Sequence, residues 1–183
     1  MRTRDIPNLL TAARILLVVP VIWALHLQRF DVALVLFFVA GVTDGLDGFL
    51  AKHFGWTSHL GELLDPIADK LLLVSCYLML AWLGLLPVWL VVLVLLRDLI
   101  IVGGATLYHF RVEKLQASPT HVSKLNTLLQ ILLVLLVITS QALGWDAQAL
   151  LSALIYAVSV TVLWSGTDYV ITWSRRAREA RRQ

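Results

Sequence analysis

Six stretches of this chain are each apolar for about the 20 residues that a helix needs to cross the hydrocarbon of a bilayer. They run over residues 8–27, 32–51, 62–82, 87–108, 125–143 and 147–171. Polar or turn-forming residues punctuate them: Gln28-Arg29, Gly55 to Ser58, Gly84 to Pro87, Ala117 to Thr120 and Gly144 to Asp146. The runs do not alternate apolar and polar residues, as barrel strands would. With 59% of 183 residues hydrophobic and only 15% charged, a water-soluble globule could not hide its apolar surface. The single Cys76 excludes a disulfide scaffold. The reading is an all-α integral membrane protein, one domain over residues 1–183, built as a bundle of six transmembrane helices. No loop is long enough for a soluble domain, and the partner that the composition implies is the membrane rather than a nucleic acid.

Basic residues orient the bundle. Arg2 and Arg4 precede the first span, Lys52 follows the second, Arg111 and Lys114 follow the fourth, and Lys124 opens the fifth. The tail carries Arg175, Arg176, Arg178, Arg181 and Arg182, whereas the opposite loops hold only Arg29, with Asp31 beside it, and Asp146. This asymmetry predicts that both termini and the even-numbered loops are cytoplasmic. The tail arginines serve either as an orientation signal or as a hold on anionic head groups. Trp56, Trp82, Trp89, Trp145 and Trp173 fall near span ends, as an aromatic belt would. The first run is too long for a signal peptide and no small-residue cleavage site follows it. Arg14, early in that run, is expected to snorkel to the cytoplasmic surface.

Against this background four carboxylates stand out, because charged groups inside spans are rare and mark function. Asp44 and Asp47 lie three apart late in the second span, and Asp65 and Asp69 lie four apart early in the third. Each pair shares a helix face. A short loop joins the two helices as antiparallel neighbours, so the acidic faces can meet near the cytoplasmic end. Four facing carboxylates need protons or cations, and an all-oxygen set suits Mg²⁺ or Mn²⁺. A buried ion-pair network using Lys70 and Arg97 is the structural alternative. Gly41, Gly45, Gly48 and Gly61 surround the set; they allow either close helix packing or close approach of a phosphate or ring to bare backbone. Pro66 deprives the Glu62 carbonyl of its helical partner.

Written out, the segment is Asp44-x2-Asp47-Gly48-x2-Ala51-Lys52-x8-Gly61-x3-Asp65-x3-Asp69. It resembles the signature of the CDP-alcohol phosphotransferases, D-x2-D-G-x2-A-R-x8-G-x3-D-x3-D. Seven of the eight fixed letters match and every spacing matches. Chance agreement at seven fixed letters is on the order of 10⁻⁹ per window. The departure is Lys52, which keeps the charge of the usual arginine but loses its bidentate fork.

The resemblance implies transfer of a phosphatidyl or similar group from a CDP-linked donor to an alcohol, with release of CMP. It implies that Asp44, Asp47 and Asp65 hold two divalent ions on the donor diphosphate. Asp69 would also reach a metal and act as general base. Gly48, Ala51 and Gly61 would flank the cytidine and its phosphates, and Lys52 would meet a phosphate as a point charge. Members are commonly homodimers, and the location implied is a bacterial inner membrane with the site on its cytoplasmic side.

The opening Ile6-Pro7-Asn8-Leu9-Leu10-Thr11-x2-Arg14 resembles glycerophospholipid members, both phosphatidylglycerophosphate synthases and CMP-forming cardiolipin synthases. Asn8, Thr11 and Arg14 either line the phosphate end of the donor site or cap and anchor the first helix. Phosphatidylglycerophosphate synthases carry an Arg-Glu pair in span four and a second Arg two turns on; here the pair is Arg97-Asp98 and Ala105 holds the later position. Pro119-Thr120-x2-Ser123-Lys124-x-Asn126-Thr127-x2-Gln130 is more similar to the cardiolipin synthase pattern. The expected donor is therefore CDP-diacylglycerol. The expected acceptor is phosphatidylglycerol, with glycerol 3-phosphate as the alternative. Lys124, Arg97 and Arg111 are the acceptor-binding candidates, Lys124 being otherwise an ordinary interfacial lysine.

The histidines form no zinc spacing and are expected at the surface, Cys76 in the core, and Asp168 as an interfacial polar residue or a helix contact, with a site role as the alternative. From another class, a divalent-cation channel or transporter would also need intramembrane carboxylates. It would, however, need polar groups through the full membrane depth, which these spans lack.

Overall fold

A computed structural model describes the backbone of residues 6–54, 59–111 and 121–180, and the side chains of 9–46, 67–101, 103 and 122–169. The described residues form six helices and no strand: α1 Ile6–His26, α2 Phe30–Phe54, α3 His59–Trp82, α4 Val88–Arg111, α5 His121–Leu143 and α6 Gln148–Ala180. Each sequence run became one helix, and the described turns at 27–29, 83–87 and 144–147 fall where turn residues were expected, while the expected turns at 55–58 and 117–120 lie outside the described residues. Differences lie at the ends. α5 starts four residues before the expected run, and α6 continues nine residues beyond it into the arginine-rich tail. α3 runs unbroken past Pro66.

Three of the turns share one mechanism, in which a residue in the left-handed region lets amides beyond the helix end reach back to unpaired carbonyls. Gly84 (φ 73°) and Gly144 (φ 62°) hold this position after α3 and α5. Leu85 N–H then reaches Leu80 O, and Trp145 N–H reaches Ser140 O, both at 2.9 Å. After α1 the position belongs to Gln28 (φ 56°), with Arg29 N–H donating to Ala24 O at 2.8 Å. A side chain there is strained where glycine is not. The exposed Arg29 also donates to Asp31, and this hydrogen bond holds the Asp31 carboxyl below the usual carboxylate range.

By length and composition, three helices are apolar enough to cross a membrane over the described residues: Leu9–His26, Val122–Leu143 and Gln148–Tyr169. α2, α3 and α4 have 25, 24 and 24 residues, long enough to span. α2 and α3 carry the charged cluster at one end. The outer surface is apolar, with Leu16, Trp82 and Leu143 more than 70% exposed. A soluble protein would not leave such residues in water.

The helices fall into two compact units, residues 1–86 with 134–147 and residues 87–133 with 148–183. In the first, α1 is the helix against which both α2 and α3 pack. Its buried stripe is Thr11, Arg14, Val18, Val21 and Leu25, at helical spacing. α2 contributes Ala33, Phe37 and Ala40; α3 contributes Ala68, Leu72, Cys76 and Leu80. Continuing the α2 stripe by one turn from Ala40 gives Asp44, and extending the α3 stripe back from Leu72 gives Asp69. In the second unit α4 packs on α6.

Candidate active site

The aspartates at the ends of those stripes converge on one nitrogen. Arg14 Nη1 lies 2.9 Å from Asp44 Oδ1 and also donates to Asp69 Oδ1. Three helices thus meet at a single guanidinium. The Arg14 side chain is 1% exposed, while those of Asp44 and Asp69 are 47% and 42% exposed. The cation forms the floor of the site and the carboxylates form its open rim.

Arg14 therefore does not snorkel. It sits eight residues into α1, roughly 12 Å from the helix start, and its charge is met by two carboxylates rather than by water. Thr11 is fully buried on the same face at the sixth position of α1, too far in to cap the helix. Of the two acidic pairs, Asp44 of α2 and Asp69 of α3 come together through Arg14 of α1, while the side chains of Asp47 and Asp65 lie outside the described residues. Sequence reasoning weighed Lys70 and Arg97 as counter-charges and missed the one that occupies the site. No local pattern singles it out, because α1 is apolar nearly all round and its buried and exposed faces read alike.

Two of the flanking glycines also resolve. A Cβ built on Gly41 or Gly45 would meet nothing within 4 Å. Within this chain no neighbouring helix packs against these two positions, and the α2 backbone there faces open space. Asp47, Gly48, Ala51, Lys52, Gly61, Asp65, Asn8 and Arg111 have side chains outside the described residues. Among the described residues no three metal-ligating groups cluster, since only Asp44 and Asp69 of the four aspartates are included. These two nevertheless suit a hard divalent cation. Both are acceptor-only oxygen donors, both are accessible, and both already converge on a positive group.

The second unit holds another buried cation. Arg97, 4% exposed on α4, donates from Nη1 to Asp98 at 2.7 Å and from Nη2 to Ser123 Oγ on α5 at 2.6 Å. Nη2 and Nε both reach Ser165 Oγ on α6, at 2.8 and 3.2 Å. Four of five guanidinium hydrogens are committed, so at most one remains for a ligand and a bidentate grip on a phosphate is not open to it. Lys124, the residue after the Arg97-held Ser123, is exposed. One turn further along α5, Asn126 is fully buried and accepts from Thr161 Oγ1 at 3.0 Å. Asp168 is half-buried, Cys76 fully buried, and His26 exposed.

The sequence profile of the CDP-alcohol phosphatidyltransferase family matches residues 4–167. The chain belongs to this family. This phosphatidyltransferase-family chain is 36% identical over 183 residues to a Schizosaccharomyces pombe protein named cardiolipin synthase (CMP-forming) / mitochondrial hydrolase fusion protein. The match covers 91% of this chain and 31% of that one. It is 37% identical to the cardiolipin synthase (CMP-forming) of Rattus norvegicus, over 70% of this chain and 48% of that protein. It is 34% identical to a probable phosphatidylglycerophosphate synthase of Mycobacterium tuberculosis, over 92% of this chain and 81% of that protein. The chain thus spans a third to a half of the length of the first two relatives, and most of the third.

Proposed function

We propose that the protein transfers the phosphatidyl group of CDP-diacylglycerol to a glycerol-type acceptor and releases CMP, with phosphatidylglycerol as the acceptor and cardiolipin as the product. The observation that carries this reading is the convergence of Asp44 and Asp69 on one cationic point, at the two ends of a family signature matched in every spacing.

The chemistry follows from the donor set. Asp44, Asp47, Asp65 and Asp69 would hold two Mg²⁺ or Mn²⁺ ions, which when bound offset charge on the diphosphate and on departing CMP. Asp69 takes the proton of the acceptor hydroxyl. The hydroxyl oxygen then bonds to the phosphatidyl phosphorus as the bond from that phosphorus to the bridging oxygen breaks, and CMP leaves with the electron pair. Lys52 meets a donor phosphate, and Gly48, Ala51 and Gly61 flank the nucleotide, with Thr11 and Asn8 at the phosphate end. The open backbone at Gly41 and Gly45 supports a substrate approach beside Asp44.

Lys124 is the acceptor-facing cation, with Arg97 behind it holding Ser123 in place and Arg111 as a further donor. Phosphatidylglycerol carries one negative charge on a diester and suits this modest supply. Glycerol 3-phosphate brings a dianion that needs more donors than Arg97, already committed to Asp98, Ser123 and Ser165, can supply. The second reading, glycerol 3-phosphate as acceptor, is favoured by the extent of the match to the Mycobacterium tuberculosis relative.

The setting proposed is a bundle of six spans with both termini cytoplasmic, in a bacterial inner membrane, as a homodimer. A soluble nucleotide then enters from the cytoplasm while acyl chains stay in lipid. A cation path through the membrane is disfavoured. Beyond Arg14 the buried residues described on α1, α2 and α3 include Val18, Val21, Leu25, Phe37, Leu72 and Leu80, with only the Cys76 thiol and the Tyr77 hydroxyl among them and no further carboxylate, which is a poor path for a hard cation.

The test gives purified protein CDP-diacylglycerol with phosphatidylglycerol or glycerol 3-phosphate in parallel, and identifies the lipid products by mass spectrometry. Cardiolipin as the main product, lost in EDTA and restored by Mn²⁺, is expected. Phosphatidylglycerophosphate alone would establish the second reading, and no CMP from either acceptor would refute both.

A further inference from the structure

We infer that Arg14 is an internal counter-cation that occupies the carboxylate site when no divalent ion is bound, and that it yields Asp44 and Asp69 oxygens to the ion on loading. The inference rests on the proposed role of these aspartates as metal ligands, and it adds a competitor built into the chain.

Three observations carry it. First, Nη1 of Arg14 contacts an oxygen of each aspartate, the same oxygen-rich point that would suit a divalent cation. An ion bonded to those oxygens and a guanidinium at hydrogen-bonding distance from both compete for the same lone pairs. Second, Arg14 is buried while the carboxylates are open. An ion can therefore arrive at the rim without passing the arginine, which remains behind as the floor. Third, Arg14 places a positive charge between two carboxylates that α2 and α3 bring to one point, and this offsets their mutual repulsion while no ion is bound. Arg14 also ties α1 to both helices, which keeps the ligands of α2 and α3 within one cation's reach before any ion binds.

Arg14 is a positioning residue in this account, and its test reads metal affinity rather than turnover. Free Mn²⁺ is followed by electron paramagnetic resonance in titrations of the full chain in detergent micelles, with Asp44→Asn as the control that weakens binding. Arg14→Gln is expected to bind Mn²⁺ about tenfold or more tightly than wild type, because a competing positive charge is gone. It should also melt at a lower temperature without Mn²⁺ and gain more from saturating Mn²⁺ than wild type gains. Arg14→Lys, a point charge without the fork, should fall between the two, and it carries the comparison if Arg14→Gln does not fold. Equal or weaker Mn²⁺ binding by folded Arg14→Gln, or by Arg14→Lys in its place, overturns the inference and leaves the metal site standing. If wild type binds no Mn²⁺ at all, the metal reading falls and the inference with it.

Discussion

Removing the Arg97 guanidinium should cost this protein stability on a scale that a ligand-facing arginine would not. In Arg97→Met the apolar stem is kept and the charge is lost. Three consequences follow from the geometry. Asp98, 13% exposed and 2.7 Å from Nη1, loses its cation. Ser123 on α5 and Ser165 on α6 lose a shared charged donor. α4 loses its polar tie to both helices. Breaking a buried ion pair from one side typically costs about 3–5 kcal/mol, and a hydrogen bond to a charged group contributes about 1.5–3 kcal/mol. The effects overlap, so we expect about 4 kcal/mol in total. Asp98→Asn alone should cost less, because the guanidinium keeps its serine partners. The double variant should be at least about 2 kcal/mol more stable than the sum of the two single changes predicts. The assay is reversible unfolding in mixed detergent micelles, followed by far-ultraviolet circular dichroism. Arg97→Met within about 1 kcal/mol of wild type, with no coupling to Asp98, would refute the reasoning. It would mean that Arg97 is not fixed by these partners and is available to an acceptor.

Two further outcomes address the catalytic groups. Asp69→Asn should lower CMP release by about 10²–10⁴-fold while donor binding, measured with a labelled CDP-lipid, changes little; a rate near wild type excludes Asp69 as the base. Lys52→Ala should raise the apparent KM for CDP-diacylglycerol, and Lys52→Arg should be tolerated. Unchanged donor affinity in Lys52→Ala would make the residue an interfacial anchor only.

The helices, their number and their turns were legible in the sequence, because in lipid a backbone has few options and an apolar run of the right length becomes a helix. Gln28, Gly84 and Gly144 marked the turns for an equally local reason, the need of a helix end for a left-handed residue. Asp44 and Asp69 were legible too, since carboxylates are costly in apolar spans and the spacing of the signature is fixed by the turns of two helices; Asp47 and Asp65 have side chains outside the described residues. Sequence alone could not say which side of α1 faces inward. A spanning helix is apolar all round, so no amphipathic stripe separates the buried Thr11, Arg14 and Val18 from the exposed Leu16 and Val19. Arg14 read in isolation belongs at the interface, and Arg97 read beside Asp98 belongs to no particular helix partner. Only the packing of α2 and α3 on α1 gave Arg14 its two carboxylates, and only the tertiary approach of α5 and α6 to α4 gave Arg97 Ser123 and Ser165. A buried charge takes its meaning from groups far away in the chain, and that is information a linear pattern of hydropathy does not contain.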